Sequence, residues 1–329
     1  MSVELTIIGI GQIGASIGLS LKAHTNLLHR RGYDKELGFA RRAQARGALD
    51  KVYINLPNAV SGADIILLAL PMSEIRKTLE IIAPDLKEGA VVMDTSPVKS
   101  AVAAWAQELL APERYYIGLT PVLQPAYLYS AEFGDEAARA DLFQNTPMLI
   151  AAPPGTASEA VKLAADLTRL LGATPLFTEL VEVDSLMAGT HILPQLLAAA
   201  LVNATADQPG WLEGRKLAGR AYTEVTAPLG RMMSAQALAD AAILNRANML
   251  RVMDTFISAL TYLRADIERE DHAALSERLT RAGQARERWW GQRLRADWSS
   301  AEQPEVKLPS ASQIFSRFLG IQRKEKTEG

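Results

Sequence analysis

Six residues near the start of the chain, Gly9-Ile10-Gly11-Gln12-Ile13-Gly14, restrict its fold more than any other feature. An apolar run, Leu5-Thr6-Ile7-Ile8, leads into them, and an apolar-periodic segment with Ile17, Leu19 and Leu21 follows. Asp34 stands twenty positions after the last glycine. Glycines alone mark many turns, but strand, glycine turn, helix and acid in this order specify a dinucleotide-binding unit. Gly9 allows the tight turn out of the strand, Gly11 lets backbone approach a pyrophosphate, and Gly14 lets the helix pack on the sheet. The helix N-terminus at Gln12 and Ile13 offers N–H groups and a positive dipole end to the phosphates. Asp34, ending the second strand, is placed to accept a hydrogen bond from a ribose 2′-hydroxyl and to repel a 2′-phosphate, which favours NAD. Arg30, Arg31 and Lys35 flank it and leave NADP open.

The rest of the first half continues the alternation. Ile65 to Leu70 is a continuous apolar run ended by Pro71, as in a strand buried on both faces. Helix is expected over Ser73–Ile82, strand over Ala90–Asp94, helix over Val98–Leu110, and strand over Tyr115–Leu119. Further strands are expected over Met148–Ala152 and Thr174–Phe177, with an amphipathic helix over 157–171 between them. Such alternation gives an α/β Rossmann domain with a mostly parallel, doubly wound sheet, assigned to residues 1–178.

From Val183 strand signals vanish. Asp184 to about Ala206 is apolar nearly all round and reads as a buried central helix. Ala235–Arg264 and His272–Arg295 read as two further long helices, the last carrying Trp289 and Trp290, with Trp298 just beyond. An all-α domain over 179–298 follows, more apolar than one small bundle needs, so a homodimer through it is expected. Residues 299–329 read as a polar tail with a short helix at 311–320.

Composition narrows the partners. The formal net charge is −2, so nothing calls for nucleic acid or an anionic membrane. The chain has no cysteine, which excludes disulfides, thiolate metal sites and cysteine nucleophiles. The N-terminus enters a strand without a basic leader, and no later run of membrane-spanning length is free of charge. A soluble cytoplasmic protein is expected, and no carboxylate–histidine spacing suggests a metal site.

The order of motifs resembles the prephenate dehydrogenase family. The resemblance rests on the Gly9–Gly14 loop with Ser16, Tyr33-Asp34, Ala63-Asp64 before Leu70-Pro71, and Asp94-Thr95-Ser96-Pro97-Val98-Lys99. It continues through Gly118-Leu119-Thr120-Pro121, Val183-Asp184, Thr190-His191-Ile192-Leu193-Pro194 and Ala218-Gly219 to Asn245, covering most of residues 3–295. It implies a Rossmann domain followed by a helical dimerisation domain. It also implies oxidation of the ring hydroxyl of prephenate or arogenate by NAD or NADP, with loss of CO₂, in tyrosine biosynthesis. The cofactor residues implied are Gly9, Gly11, Gln12, Ile13, Gly14, Asp34, Leu70 and Pro71.

The substrate half departs from the family pattern. The family's motif serine falls at Pro97, its catalytic histidine at Thr120 and its substrate-binding arginine at Ala227. The expected substitutes are Ser96 for the hydroxyl, Thr120 as a hydrogen-bonding group and His191 as a base if burial lowers its pKa. Lys99, Gln124 and Arg231 are the candidates for a carboxylate substrate, with Arg220 the alternative to Arg231 and Tyr127 a further substrate contact. Asp184 matches an acidic position of the family, or is a helix N-terminal charge. Two other readings share the two-domain plan: an NAD(P)-dependent hydroxyacid dehydrogenase or imine reductase, and a nucleotide-binding homologue without catalysis.

Overall fold

A computed structural model describes residues 2–232 and 234–297. The expected tail over 299–329, its helix and Trp298 lie outside the described residues. The strands are β1 (Val3–Ile8), β2 (Leu28–Tyr33), β3 (Lys51–Val52), β4 (Ile65–Leu68), β5 (Val91–Asp94), β6 (Tyr115–Pro121), β7 (Pro147–Ala151) and β8 (Thr174–Thr178). They form one sheet in the order β3-β2-β1-β4-β5-β6-β7-β8. All neighbours are parallel except β6 and β7.

The helices of this half are α1 (Gln12–Ser20), α2 (Leu37–Ala45), α3 (Leu56–Val60), α4 (Met72–Ile82), α5 (Lys99–Leu109) and α6 (Ser158–Leu170). Strand residues alternate between two cores. Leu5, Ile7, Leu67, Met93 and Ile117 face α1, α2 and α6, whereas Ile8, Ile66, Leu68, Val92 and Tyr116 face α3, α4 and α5. That two-sided burial is why β4 reads as an unbroken apolar run. The chain reverses winding direction between β1 and β4, and this switch opens a crevice at the strands' carboxyl ends.

After β8 the chain is helical: α7 (Leu180–Met187), α8 (Leu193–Ala206), α9 (Trp211–Leu217), α10 (Arg220–Gly230), α11 (Ala235–Leu244), α12 (Arg246–Glu268) and α13 (His272–Arg295). Ala188, Ile192, Ala241 and Met249 join the core beneath α4 and α5, so the helical half is packed onto the sheet half.

Three expectations are corrected here. The helix expected from Asp184 to Ala206 begins at Leu180 and is interrupted by a π turn over Ala188–Ile192. Pro194 has no N–H for the carbonyl one turn back, and its ring crowds that turn, so the ladder widens there. This stretch is also not buried within one chain: only 17% of its most apolar window is covered, and by length and composition alone it could cross a membrane. Finally, the helix expected over Ala235–Arg264 is two helices divided at Asn245. The Asn245 side-chain amide donates to the Asp184 carbonyl at 2.7 Å, a tertiary contact that apolar periodicity does not reveal.

Candidate active site at the carboxyl edge of the sheet

The glycine loop joins β1 to α1. Gly9 has φ +90°, and a Cβ there would lie 2.3 Å from the Ala69 carbonyl oxygen, so the residues before Leu70-Pro71 form the wall behind the turn. A Cβ on Gly14 would stand 2.0 Å from the Gly9 carbonyl oxygen, which is how closely α1 approaches the strand. A Cβ on Gly11 would meet nothing within 4 Å among the described residues. Gly11 therefore faces open space above the first turn of α1, whose N–H groups have no side-chain cap. These are the features a pyrophosphate uses: close access to backbone and donors at a helix start.

Asp34 follows β2 directly. Its carboxylate accepts from the Ile10 N–H at 2.7 Å and the Glu36 N–H at 2.8 Å, which fixes it beside the loop with acceptor capacity remaining. The neighbouring cations are engaged elsewhere. Arg30 is buried and bidentate to Asp50 at 3.0 and 2.6 Å, and Arg31 donates to Glu4 at 2.7 Å and to the Ser61 carbonyl at 2.8 Å. Lys35 pairs with Glu74 at 3.1 Å. Gln12 and Ile13 open α1, and the Gln12 side chain donates to the Ala137 carbonyl at 3.4 Å.

At the end of β5, beside β6, lies a buried polar cluster centred on Asp94. Its carboxylate accepts from Ser96 Oγ, from the Ser96 N–H at 2.7 Å, from Tyr116 Oη at 2.6 Å and from Lys99 Nζ at 3.2 and 3.3 Å. Lys99 also donates to the Asp94 carbonyl at 3.0 Å. The side chain of Lys99, the expected substrate contact, is wholly buried and paired with Asp94. Burial pushes its ammonium pKa down, against the pull of Asp94 and Asp184. Burial, then Asp94, pushes the Tyr116 phenol well up. Gly118 makes room for this lysine, since a Cβ there would stand 2.7 Å from Lys99 Cδ.

Asp184 completes the arrangement from the helical half. Its carboxylate accepts from the Lys99 N–H at 2.5 Å and the Ser100 N–H at 3.1 Å, capping α5 from another element. Sequence reasoning assigned no role to Asp94 or Tyr116. The available signal was an acid closing an otherwise apolar strand, directly before the quoted serine and lysine.

Thr120, near the end of β6, is 7% exposed, and its Oγ1 is buried without a hydrogen-bond partner among the described residues. Gln124 lies just beyond, half-buried, with its N–H donating to the Leu142 carbonyl at 2.8 Å. His191 lies on the π turn and is exposed as a residue, and desolvation of its imidazole lowers its pKa. No hydrogen bond joins it to Ser96 or Thr120 among the described residues. Arg220 and Arg231 stand at opposite ends of α10, exposed, where that helix packs along α8. Tyr127 Oη donates to Asp141 at 2.6 Å. The structure thus brings Ser96, Thr120 and Gln124 to the sheet's carboxyl edge and sets Arg231 apart from them.

Comparisons with known proteins agree with this layout. Residues 17–176 match the family description "Prephenate dehydrogenase, nucleotide-binding domain", and residues 181–281 match "Prephenate dehydrogenase, dimerization domain". The chain is 28% identical over 288 residues to the cyclohexadienyl dehydrogenase of Zymomonas mobilis, covering 86% of this chain and 94% of that protein. It is 30% identical over 206 residues to the prephenate dehydrogenase of Lactococcus lactis, covering 62% of this chain and 54% of that one. Among solved structures it resembles the prephenate dehydrogenase of A. aeolicus in complex with hydroxyphenyl propionate and NAD+, with a TM-score of 0.76 and 20% identity over 88% of this chain and 98% of that chain.

Proposed function

The chain belongs to the prephenate dehydrogenase family, and from that premise we propose that it oxidises prephenate or arogenate with NAD as hydride acceptor, the ring losing CO₂ in tyrosine biosynthesis. The observation that carries this reading is the open cradle at Gly11, above an uncapped helix start and beside Asp34. Residues Gly9 to Gly14 hold the pyrophosphate, Leu70 and Pro71 wall the loop, and Asp34 takes the ribose hydroxyls. NAD is favoured over NADP because Arg30 and Arg31 are committed to Asp50 and Glu4 and offer nothing to a 2′-phosphate. A nicotinamide bound there would supply the acceptor for the hydride that leaves the ring carbon.

The remaining work falls to side chains of this chain. Thr120 Oγ1 is a buried hydroxyl in need of a partner, a state that costs about 1–3 kcal/mol until one arrives. A substrate ring hydroxyl is such a partner, so Thr120 orients it where the family pattern has histidine. Ser96 Oγ donates a hydrogen bond to Asp94, which fixes the serine hydroxyl at the start of the loop after β5. His191, held neutral by desolvation, is the proposed proton acceptor, and Gln124 and Arg231 are the proposed contacts to the carboxylates. Arg231 belongs to this set only if closure or a second subunit brings α10 to the sheet edge. A homodimer through the helical half and a cytoplasmic location complete the proposal.

NADH formation at 340 nm with prephenate, and separately with arogenate, tests the reaction. Turnover of either supports it, whereas a folded, NAD-binding protein that turns over neither overturns it. The absence of the family's histidine and arginine, at Thr120 and Ala227, is the observation that favours the second reading, a hydroxyacid dehydrogenase or imine reductase on the same scaffold. Small hydroxyacids and cyclic imines in the same assay separate the two.

A further inference from the structure

The far half of α13 lies beyond the matched dimerisation domain, which ends at residue 281. It carries Arg286, Trp289, Trp290 and Arg293. Their spacing of three, one and three residues places them along one face of the helix. That face meets the loop that leaves β6. Arg286 donates to Tyr129 Oη at 2.7 Å, and Arg293 donates to the Leu123 carbonyl at 2.7 Å. The Tyr129 and Trp290 rings meet edge to face at 5.4 Å, and the Arg286 guanidinium sits 4.8 and 5.0 Å from the Trp289 and Trp290 ring centres. The near end of α13 is tied back to α12, where Arg278 donates to Asp266 at 2.8 Å and lies 5.3 Å from the Tyr262 ring centre. From residue 278 to 293 the helix spans about 22 Å.

The loop held at this far end continues to the dinucleotide site. Its later residues take hydrogen bonds from Gln12, at the Ala137 carbonyl, and from Ser20, at the Ala140 carbonyl, 2.6 Å away. Its Arg139 N–H donates to Ser16 Oγ at 3.0 Å. Arg42 of α2 donates to the Asp135 carboxylate at 2.7 Å, and Arg46, just after α2, donates to the Asp135 carbonyl at 2.6 Å.

We propose that the far half of α13 is a strut that pins the β6–β7 segment, residues 122–146, against the glycine loop, and that Arg286 and Trp290 are positioning residues for the bound dinucleotide. Arg286 acts through Tyr129, and Trp290 gives both a ring to pack on. The role needs only that a dinucleotide bind at Gly9–Gly14, so it stands apart from the identity of the substrate.

The test uses the full chain with Arg286→Gln and Trp290→Leu combined, and Arg286→Lys alone as the conservative variant. Two readouts are taken: the rate of chymotrypsin cleavage between residues 127 and 133, and the dissociation constant of NADH from its fluorescence. Loss of a cation–ring contact and an edge-to-face ring pair should speed cleavage about fivefold and weaken NADH binding about threefold in the double variant. Arg286→Lys, which keeps the charge over the indoles, should stay near the parent in both. Unchanged cleavage in the double variant overturns the strut, and faster cleavage with unchanged NADH affinity overturns the positioning role. Neither readout uses substrate, so failure of the proposed reaction leaves the outcome readable.

Discussion

Asp34 and Gly118 illustrate how single residues decide chemistry and packing in this protein. In the proposed cofactor site the Asp34 carboxylate accepts ribose hydroxyls and repels a 2′-phosphate, while the adjacent arginines pair with Asp50 and Glu4. Asp34→Ser should therefore raise the NADP-to-NAD ratio of kcat/KM by about tenfold, since removing one close charge repulsion is worth about 1.4 kcal/mol. Gly118→Ala sets a methyl group 2.7 Å from Lys99 Cδ inside a sealed cluster. Overpacking of that kind should cost about 1–3 kcal/mol, measurable as a lower urea midpoint. His191 carries the pH dependence. Its folded pKa lies below the ordinary 6.5, so it is neutral near pH 7 and protonates only as the pH falls further. If it is the proton acceptor, kcat/KM should hold down to a pH below that value and then drop, and His191→Asn should abolish this acid limb. The sign for stability agrees: the unfolded state binds the proton first, so the contribution is full above about pH 6.5 and shrinks below it.

At the scale of elements, the informative contact joins α7 to α5. The Asp184 carboxylate caps the N-terminus of α5, the helix that begins at Lys99 and follows Ser96. A cap usually comes from the residue just before the helix; here Val98 stands there and gives no side-chain bond. Asp184→Ala should lower stability by about 1–2 kcal/mol in urea denaturation, because two N–H groups lose a charged acceptor. The sequence located β1, β4, β5 and α13 because each carries a simple signal: an apolar run, or an amphipathic period with clear ends. It misplaced the α11–α12 division and the π turn, because Asn245 and Pro194 act through a partner across the fold and through the ladder one turn back. Helices α9 and α10 went unassigned, since glycines and Pro228 interrupt their pattern.

For the whole molecule, the apolar surface of the helical half is the governing fact. On α12, Leu250, Met253, Ile257 and Leu260 are exposed at spacings of three, four and three residues. That is a seam of the kind that pairs with another helix. The stretch from Leu180 to Ala206 is likewise too apolar for its exposure. A second copy covering both is the proposed remedy, consistent with the match to a dimerisation domain. Sedimentation should give a dimer, and Ile257→Asp, which sets a charge in the middle of the seam, should shift it to monomer.

The dinucleotide-binding fold was legible because its signals are local. Gly9, Gly11, Gly14 and Asp34 lie within one strand–turn–helix–strand unit, and backbone sterics there depend on neighbours in sequence. The two-domain plan was legible for the same reason, through periodicity. The substrate half was not. Lys99 looks like a free cation in the sequence and is a buried counterion to Asp94 in the fold, whereas Thr120, which the motif marks only as a hydrogen-bonding group, is a sealed hydroxyl without a partner among the described residues. Whether a polar side chain is free to act depends on which groups β5, β6 and α7 bring against it, and only the tertiary structure decides that.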